Sequence, residues 1–536
     1  MKRLTVIFPI FLFFTGILVS GTLEERLKNI SKSEMQSVVE FLGHDLLEGR
    51  APGTRGGSLA EIYTRSLFKW LDLEPGINNR YLQPFTLKGF SIEKLFIEAN
   101  RIELNYIDDV VGTWTGDETD FELEGEAVFV GFGIYTDLWN WDDFKNVDVK
   151  NKFVITRVND PGMFDEEIFE GKTLTYFGRW LYHIEEAARR GAAGILLIHT
   201  DASAGYDWTV VKNSWSGEEV FLESDIENNL KFRGWIKESS LEKILASRNI
   251  SLGELYKRSL DRKFKPVPLG FTVKVRGKNR HRDVLNHNVV AEIPGKSEKK
   301  IVISAHIDHL GMGDNKTGDR IFNGAIDNGS AVAAMMVTAK ILKEFQKDLY
   351  YGVVVLACHS EEAGLLGSKY YVNTLNHREN VIANINFEST PVWGKTSDFM
   401  AVGARFSTLE DMLKTIVEKE GLKYSYFSMT NQGFFYRSDQ FSFARNNIPA
   451  IWISAGETDD SGEFKYPHFW KTDYHSVRDE YDPRWPLEAM KQTIKMTVLL
   501  IDRLNKTKAV PKWKRKLTFP LENLKKAAEV KPGDRR

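Results

Sequence analysis

The chain has 536 residues, too long for one typical domain, so we expect two domains or one domain with a large insertion. Hydrophobic residues make up 42% of the sequence and there are thirteen tryptophans, a composition typical of a globular protein and not of a disordered chain. The formal charge of -2 gives no reason to expect nucleic acid as a partner.

The amino terminus has the pattern of a secretory signal. The basic pair Lys2-Arg3 precedes an apolar stretch from Leu4 to Val19, and Val19-Ser20-Gly21 offers small residues for cleavage. The apolar stretch is shorter than the roughly 20 residues of a spanning helix and contains Pro9. We therefore expect a signal peptide at residues 1–21, no stable transmembrane span after its removal, and an exported protein that is periplasmic or secreted.

The middle of the chain differs from the rest in its predicted secondary structure, which is mostly strand. Strand-like segments such as "GEAVFVGFGIYT", "KFVITRV" and "GFTVKVRG" surround the helix-like "YHIEEAARR". We interpret residues 113–282 as a β-rich insertion. Residues 22–112 and 283–505 would then form one domain that this insertion interrupts.

After residue 283, short apolar strands alternate with helices. The strands are "KIVISAH", "YGVVVLACHS", "VIANINFES" and "IPAIWISAG", and the helix-like stretches are 331–345, 363–375, 407–420 and 487–504. Continuous apolar strands of this kind predict a sheet that is buried on both faces, and hence an α/β sandwich.

Polar residues follow the strands of this predicted sheet. In chain order they are His306 and Asp308, Asp327 at the start of the next helix, Glu361 and Glu362, Glu388, and His475 after the last strand. Ligands of such sheets gather beyond the carboxyl ends of the strands. Taken singly, each residue is more often a cap, a turn or a scaffold side chain. Two histidines and several carboxylates at corresponding strand ends, however, indicate a metal site.

The residue types suit two divalent metal ions. A pair of ions needs a bridging carboxylate, further nitrogen and oxygen ligands on either side, and an open position for water. Asp327 is the candidate bridge. His306 with Glu388 would hold one ion, and Glu362 with His475 the other.

Two more polar residues have candidate roles beside the ligands. Glu361 would be left free to take a proton from metal-bound water and later deliver it to a leaving amine. Asp308 would hydrogen-bond the far ring nitrogen of His306 and so set its tautomer.

The motifs "SAHIDHLG", "NGAIDNGSAVA", "HSEEAGLLGSKYY", "YRSDQFSFARNNIPAI" and "DYHSVRDEYD" occur in order and resemble those of the M28 zinc peptidases. "LLEGRAPGTRGG" resembles a segment near the start of many exported members, and residues 113–282 resemble a protease-associated (PA) domain. The resemblance implies a three-layer sandwich with a central mixed sheet, the zinc-exopeptidase fold.

The resemblance also implies two Zn²⁺ per chain, with cobalt or manganese as substitutes. It assigns the five ligand roles to His306, Asp327, Glu362, Glu388 and His475, and the role of general base to Glu361. It further implies a cis peptide bond after Asp327. Most family members have Asp where this chain has Glu388.

Two residues are candidates for contact with the substrate. Tyr474 would donate to the oxyanion of the tetrahedral intermediate, and its ordinary alternative is an aromatic residue at an interface. Arg437 would donate to the substrate carbonyl or bind a carboxylate, or else pair with Asp439 as scaffold. The tail, residues 506–536, is basic and is expected to be solvated or partly docked.

The resemblance therefore implies an exported aminopeptidase that acts on peptides, with Glu361 activating a water that bridges the zinc ions. A carboxypeptidase or dipeptidase on the same scaffold is the nearest alternative. A glutaminyl cyclase would need fewer ligands, and a noncatalytic protein like the transferrin receptor would have lost some of them. The sequence has no G-x-S-x-G or H-E-x-x-H motif that would favour a serine hydrolase or a one-zinc helix site.

Overall fold

The structure is a computed structural model that describes residues 21–204, 207–226, 230–313 and 318–522. The predicted signal peptide, apart from Gly21, and the end of the basic tail lie outside these residues. Among the helices of the described ranges, none combines the length and the apolar character needed to cross a membrane.

The helices range from four residues to 20. They are α1 (Leu23–Lys28), α2 (Lys32–Leu42), α3 (Arg55–Trp70), α4 (Trp180–Arg189), α5 (Asp201–Ala204), α6 (Trp208–Trp215), α7 (Glu223–Ile226), α8 (Glu238–Ala246), α9 (Leu252–Ser259), α10 (Ala331–Glu344), α11 (Leu366–Asn373), α12 (Leu409–Lys419), α13 (Gln440–Arg445), α14 (Lys465–Thr472) and α15 (Glu488–Thr507).

The strands range from two residues to 27. They are β1 (Glu74–Pro75), β2 (Leu82–Ala99), β3 (Ile102–Leu104), β4 (Val110–Trp114), β5 (Asp120–Phe129), β6 (Tyr135–Thr136), β7 (Trp141–Asp142), β8 (Phe153–Arg157), β9 (Gly194–His199), β10 (Glu219–Leu222), β11 (Phe232–Lys237), β12 (Val267–Ile293), β13 (Ser297–His306), β14 (Gly311–Met312), β15 (Ile321–Phe322), β16 (Tyr351–Cys358), β17 (Val381–Asn386), β18 (Asp398–Val402), β19 (Lys423–Ser425) and β20 (Ala450–Ala455).

The carboxyl-terminal half of the chain forms a mixed sheet in the order β19-β18-β20-β17-β13-β16-β12. The central strand β13 is parallel to both of its neighbours, with Ser304 opposite Leu356 of β16 and Asn386 of β17. Strands β12 and β18 run antiparallel to their neighbours β16 and β20. The predicted α/β class with a central mixed sheet is confirmed.

Both faces of this sheet are buried, which explains its continuous apolar strands. Along β13, Ile301 and Ile303 enter one core together with helices α10 and α15, whereas Val302 enters a core on the opposite face. The alternation follows from the two-residue period of a strand. The sheet is therefore the middle layer of three.

The predicted helices at 331–345, 407–420 and 487–504 are present within a few residues. The prediction for 363–375 began too early, because α11 begins only at Leu366. Gly364 and Leu365 have φ angles of 112° and 62°, which an α-helix cannot contain. The residues around Glu361 and Glu362 consequently form a turn, and this turn leaves both side chains free of a regular helix face.

The 27-residue strand β12 continues the sheet into a second half. Its first part pairs with β2 and β5, and the order runs on through β8, β9 and β11 to β4. Strands β5, β8, β9 and β11 are parallel to one another, and they build cores of their own. Ile97 and Leu104, which precede the predicted insertion at residues 113–282, also pack in one of these cores.

The second half of the sheet is joined to the first by an aromatic core. Tyr176 and Phe177 pack in one cluster with Phe435 and Phe441 of the carboxyl-terminal half. The backbone N–H of Tyr176 also donates to the carbonyl of Thr518 at 3.3 Å. The first part of the predicted basic tail is therefore docked on the protein.

Candidate metal centre

Three parallel strands bring the predicted residues to one edge of the sheet. His306 is the last residue of β13, Glu361 and Glu362 lie in the turn that follows β16, and Glu388 lies two residues beyond β17. Since these strands are parallel neighbours, their carboxyl ends meet at the same place.

Asp327 lies between the two predicted histidine ligands. Its Oδ1 is 3.3 Å from Nε2 of His306, and its Oδ2 is 3.3 Å from Nε2 of His475. Burial by itself would raise the pKa of Asp327, but the close approach of these two histidines outweighs it and holds the pKa well below the ordinary value. Each oxygen of the Asp327 carboxylate thus faces a different imidazole.

On the His306 side, Nε2 of His306 is 3.3 Å from Oε1 of Glu388 and 3.9 Å from Oε2 of Glu361. Burial disfavours the charged imidazole, yet these two carboxylates raise the pKa of His306 well above its ordinary value. One ligand atom from each of these three residues lies within 4.8 Å of the others.

On the His475 side, Nε2 of His475 is 3.1 Å from Oε2 of Glu362. The other oxygen of Glu362 is 2.8 Å from Nδ1 of the buried His309, a residue that the sequence did not indicate as a ligand. Against the effect of burial, the charge of Glu362 raises the pKa of His475 to about 9.

The donor set fits divalent metal ions. Nε2 of His475 is buried and makes no hydrogen bond, although two carboxylate oxygens lie within 3.3 Å of it. Ligand atoms of His306, Asp327 and Glu362 also lie within 4.8 Å of one another. Imidazole nitrogens and carboxylate oxygens that converge on one space are the arrangement expected of first-row metal ligands.

Glu388 is held by a chain of buried polar groups. The hydroxyl of Ser438 donates to Oε2 of Glu388 at 2.6 Å, and the amide of Asn386 donates to Ser438 Oγ at 2.7 Å. The indole N–H of Trp452 donates to the backbone carbonyl of Glu388 at 3.0 Å. Both the carboxylate and the main chain at this position are therefore fixed.

Asp327 is held by its backbone. The carboxylate of the buried Asp479 accepts hydrogen bonds from the N–H of Ile326 at 2.8 Å and of Asp327 at 2.9 Å. The peptide bond between Asp327 and Asn328 is cis, as the resemblance implied. The side chain of Asn328 accepts a hydrogen bond at 2.8 Å from the N–H of Ser389, which links this segment to the Glu388 strand end.

The structure corrects the expected hydrogen bond between the ring of His306 and the carboxylate of Asp308. Nδ1 of His306 lies 3.1 Å from the backbone carbonyl of Asp308, whereas the nearest carboxylate oxygen is 3.8 Å away. The carboxylate instead accepts from the backbone N–H groups of Glu361 at 3.1 Å and Glu362 at 3.2 Å. Asp308 thus shapes the turn after β16, because those N–H groups have no strand or helix partner there.

Glu361 is buried next to these residues. Burial and the negative charges of Glu388 and Glu362 raise the pKa of its carboxyl well above the ordinary value, although His306 acts in the opposite direction. A divalent cation bound beside it would pull this pKa down again. A carboxylate beside a bound metal ion can take a proton from water and later deliver it to a leaving group.

A cavity opens onto the cluster. Its lining comprises Asp327, Glu361, Glu388, Phe434, Arg437, Ser438, Trp452, Trp470 and Tyr474. The guanidinium of Arg437 donates to the hydroxyl oxygen of Tyr474 at 3.4 Å. Burial, together with the charges of Asp327 and Glu362, raises the pKa of Tyr474 well above its ordinary value, so its hydroxyl keeps its proton.

The structure therefore brings the nine sequence-predicted residues together at one edge of the sheet. The supporting residues Asp479, Ser438 and Asn386 were not predicted. Asp479 and Ser438 lie within the motifs "DYHSVRDEYD" and "YRSDQFSFARNNIPAI", so position within a motif is the signal that could have indicated them.

Residues 288–499 match the family model described as Peptidase family M28. A leucine aminopeptidase 2 of Trichophyton equinum is 30% identical over 181 residues, which are 32% of this chain and 33% of that protein. Aminopeptidase YwaD of Bacillus subtilis (strain 168) is 31% identical over 137 residues, 24% of this chain and 29% of that protein. The chain thus spans about a third of the length of the curated relatives that it matches.

The solved structure of an aminopeptidase from Aneurinibacillus sp. strain AM-1 is similar to this one, with a TM-score of 0.50 and 15% identity, and the similarity covers 94% of this chain and 99% of that one. At this level of identity the similarity concerns the fold alone, and its coverage includes both halves of the sheet. All nine predicted site residues lie within residues 288–499, the range that matches the model of peptidase family M28.

Proposed function

We propose that the protein is an exported zinc-dependent aminopeptidase with two metal ions. The observation that carries the proposal is the position of Asp327, whose two oxygens each lie 3.3 Å from a different histidine. A carboxylate in this position can be shared between two ions. The M28 match and the names of the aminopeptidase relatives support the same reaction class.

The proposed ligands divide into two groups around Asp327. His306 and Glu388 would hold one Zn²⁺, and His475 and Glu362 the other. Bound there, zinc would supply Lewis acidity that polarises the scissile carbonyl and makes water a better nucleophile. Ser438 and Asn386 would keep Glu388 oriented toward its ion.

Glu361 is the proposed proton carrier. It lines the cavity beside the ligands, and its carboxylate lies 3.9 Å from His306 Nε2. In the proposed reaction Glu361 takes a proton from the attacking water and passes it to the nitrogen of the leaving amine, so that the peptide bond breaks without releasing an amide anion. The Asp308 carboxylate fixes the backbone N–H groups of Glu361 and of its neighbour, and through them the direction of the side chain.

Tyr474 and Arg437 are proposed to stabilise the negative charge that develops on the carbonyl oxygen. Because Arg437 donates to the hydroxyl oxygen of Tyr474, the hydroxyl hydrogen of Tyr474 is left to point elsewhere. Both residues line the cavity that contains Glu361. A donor that is already oriented costs little to align when charge develops.

A carboxypeptidase or dipeptidase is the second candidate. The observation that favours it is Arg437, a cation in the lining of an otherwise acidic cavity. A guanidinium can bind a substrate carboxylate in a bidentate manner. In that case hydrolysis would require a free carboxyl end in the substrate.

Export and domain organisation are proposed from the sequence. The signal peptide at residues 1–21 lies almost wholly outside the described residues, and its removal can be tested by amino-terminal sequencing of the mature protein. We also propose that the PA-like insertion narrows access to the site. The backbone N–H of Leu174, in the insertion, donates at 3.2 Å to the carbonyl of Thr430, which shortly precedes the cavity-lining Phe434 and Arg437.

The proposal is tested by metal content and by hydrolysis of matched peptides with free or blocked ends. We expect two zinc ions per chain and cleavage that requires only the free amine. Dependence on the free carboxylate would instead assign a carboxypeptidase or dipeptidase. A protein that binds no zinc and cleaves no peptide would refute both assignments and favour a noncatalytic role.

A further inference from the structure

The motif "LLEGRAPGTRGG" contains a buried arginine that the proposed reaction does not use. Arg50 is 1% exposed, although arginine is seldom fully buried without an ionic partner. It ends a run of three residues with left-handed backbone, in which Glu48, Gly49 and Arg50 have φ angles of 49°, 68° and 52°. A side chain at Gly49 would collide with the backbone carbonyl oxygen of Gly311, so this loop is inserted tightly into the protein.

The guanidinium of Arg50 donates to four main-chain carbonyls from three separate segments. It binds Leu42 at the end of α2, Ile307 at 2.8 Å, Asn323 at 2.5 Å and Gly324 at 3.0 Å. Unpaired carbonyls at a helix end and in loops are costly to bury, and here one side chain satisfies them together.

Two of these segments carry proposed metal ligands. Ile307 follows His306 directly, and Gly324 lies three residues before Asp327. Since the same guanidinium binds both segments, it sets the distance between the first histidine and the shared carboxylate. Through its hydrogen bond to the Leu42 carbonyl, the same guanidinium also connects these two segments to helix α2.

The charge of Arg50 is also matched to its position. Four carboxylates lie near enough to interact with it electrostatically, and they belong to Asp308, Asp479, Asp327 and Glu362. Burial lowers the pKa of Arg50 to about 10, and these charges act against that effect, so the side chain is protonated at neutral pH. A fixed cation beneath the acidic cluster offsets its repulsion without occupying the cavity.

We propose that Arg50 is a positioning residue for the metal centre, holding the His306 and Asp327 segments at the separation that binds metal. The inference rests on the proposed metal site. Lysine could not replace it fully, because an ammonium group has three donors and no planar fork, whereas Arg50 serves four acceptors.

The test compares zinc binding by the full-length protein and its variants, freed of metal and titrated with zinc against a chromophoric chelator. We expect Arg50→Met to raise the zinc dissociation constant roughly 10- to 100-fold, the usual effect of losing a group that orients metal ligands. Arg50→Lys should fall between Arg50→Met and the parent protein. Thermal unfolding of each zinc-free variant shows whether it is folded.

Arg157 provides a matched control. It is a buried arginine in the second half of the sheet, its pKa is also lowered to about 10 by burial, and it donates to Ser259 and to the Tyr256 carbonyl. Arg157→Met should lower the melting temperature and leave the zinc affinity unchanged. A role in folding alone would make the two methionine variants behave alike.

The outcomes separate the inference from the proposed function. If the parent protein binds no zinc, the proposed function fails, and the inference fails with it. If the parent binds zinc and folded Arg50→Met binds it equally well, only the inference is overturned. If Arg50→Met does not fold, the zinc affinity of Arg50→Lys is the test. Weaker zinc binding by Arg50→Lys than by the parent protein supports the inference, and equal affinity overturns it.

Discussion

The hydrogen bond from Ser438 to Glu388 allows a sharp test of the proposed metal site. Ser438 is 2% exposed, and its hydroxyl donates to Oε2 of Glu388 at 2.6 Å. The substitution Ser438→Ala removes one oxygen atom and nothing else. The carboxylate would lose a donor that directs it toward His306, and the amide of Asn386 would lose its acceptor in Ser438.

The size of the effect follows from the charge of the acceptor. A hydrogen bond to an ionised group contributes about 1.5 to 3 kcal/mol, compared with roughly 0.5 to 1.5 kcal/mol for a neutral pair. Because about 1.4 kcal/mol corresponds to a tenfold change in an equilibrium constant, Ser438→Ala should weaken zinc binding roughly 10- to 100-fold. This range agrees with measured effects of groups that orient metal ligands.

The assay is zinc titration of metal-free protein, with Ser442→Ala as the control. Ser442 is 6% exposed, and its hydroxyl pairs with the hydroxyl of Ser368 at 2.8 Å, a neutral bond near the same site. The control should lower the free energy of unfolding by roughly 1 kcal/mol and leave zinc affinity unchanged. Equal zinc affinities in the two variants would refute the assignment of Glu388 as a ligand that Ser438 orients.

Three further predictions concern single residues. Glu361→Gln should reduce kcat roughly 10²- to 10⁴-fold with zinc content unchanged, and an unchanged kcat would exclude Glu361 as the general base. Glu388→Asp should weaken zinc binding, because the shorter side chain withdraws the carboxylate by about 1.5 Å. The main chain is not free to follow, since the indole N–H of Trp452 donates to the carbonyl oxygen of residue 388 at 3.0 Å. Competitive zinc titration measures the change, and an affinity equal to that of the parent protein would contradict the prediction. His183 is buried with its pKa lowered to about 3, so its contribution to stability is full above pH 6.5 and is lost as pH falls toward 3. Urea unfolding measures the free energy of unfolding at pH 7.5 and at pH 5. The decrease between these two pH values should be about 2 kcal/mol smaller in His183→Phe than in the parent protein, and equal decreases would contradict this.

The residues of the candidate metal centre could be predicted to lie together because their placement at strand ends is local. His306 and Glu388 each lie at or near the end of an apolar strand, and the alternation of strands with helices predicts that such ends share one edge. The turn containing Glu361 and Glu362 follows from the same reasoning. The departure at the start of α11 arose because left-handed backbone at Leu365 is not evident from residue type.

The residues that hold these candidate ligands in place could not be found in this way. Asp308 was expected to bind the ring of His306, but its carboxylate binds backbone groups 53 and 54 residues away in the chain. Asp479 binds the backbone of Asp327 from 152 residues away. Such pairs depend on which loops meet at the sheet edge, and a sequence pattern describes only one loop at a time.

The sequence by itself determined the α/β class, which strands carry polar ends, and the residue types that follow those strands. Those properties follow from periodicity and composition, which act over a few neighbouring residues. Only the tertiary structure decided that β12 extends one sheet through both halves of the protein, and that Arg50 joins three distant segments beneath the candidate metal centre. These features depend on long-range pairing and burial, which arise when the chain has folded.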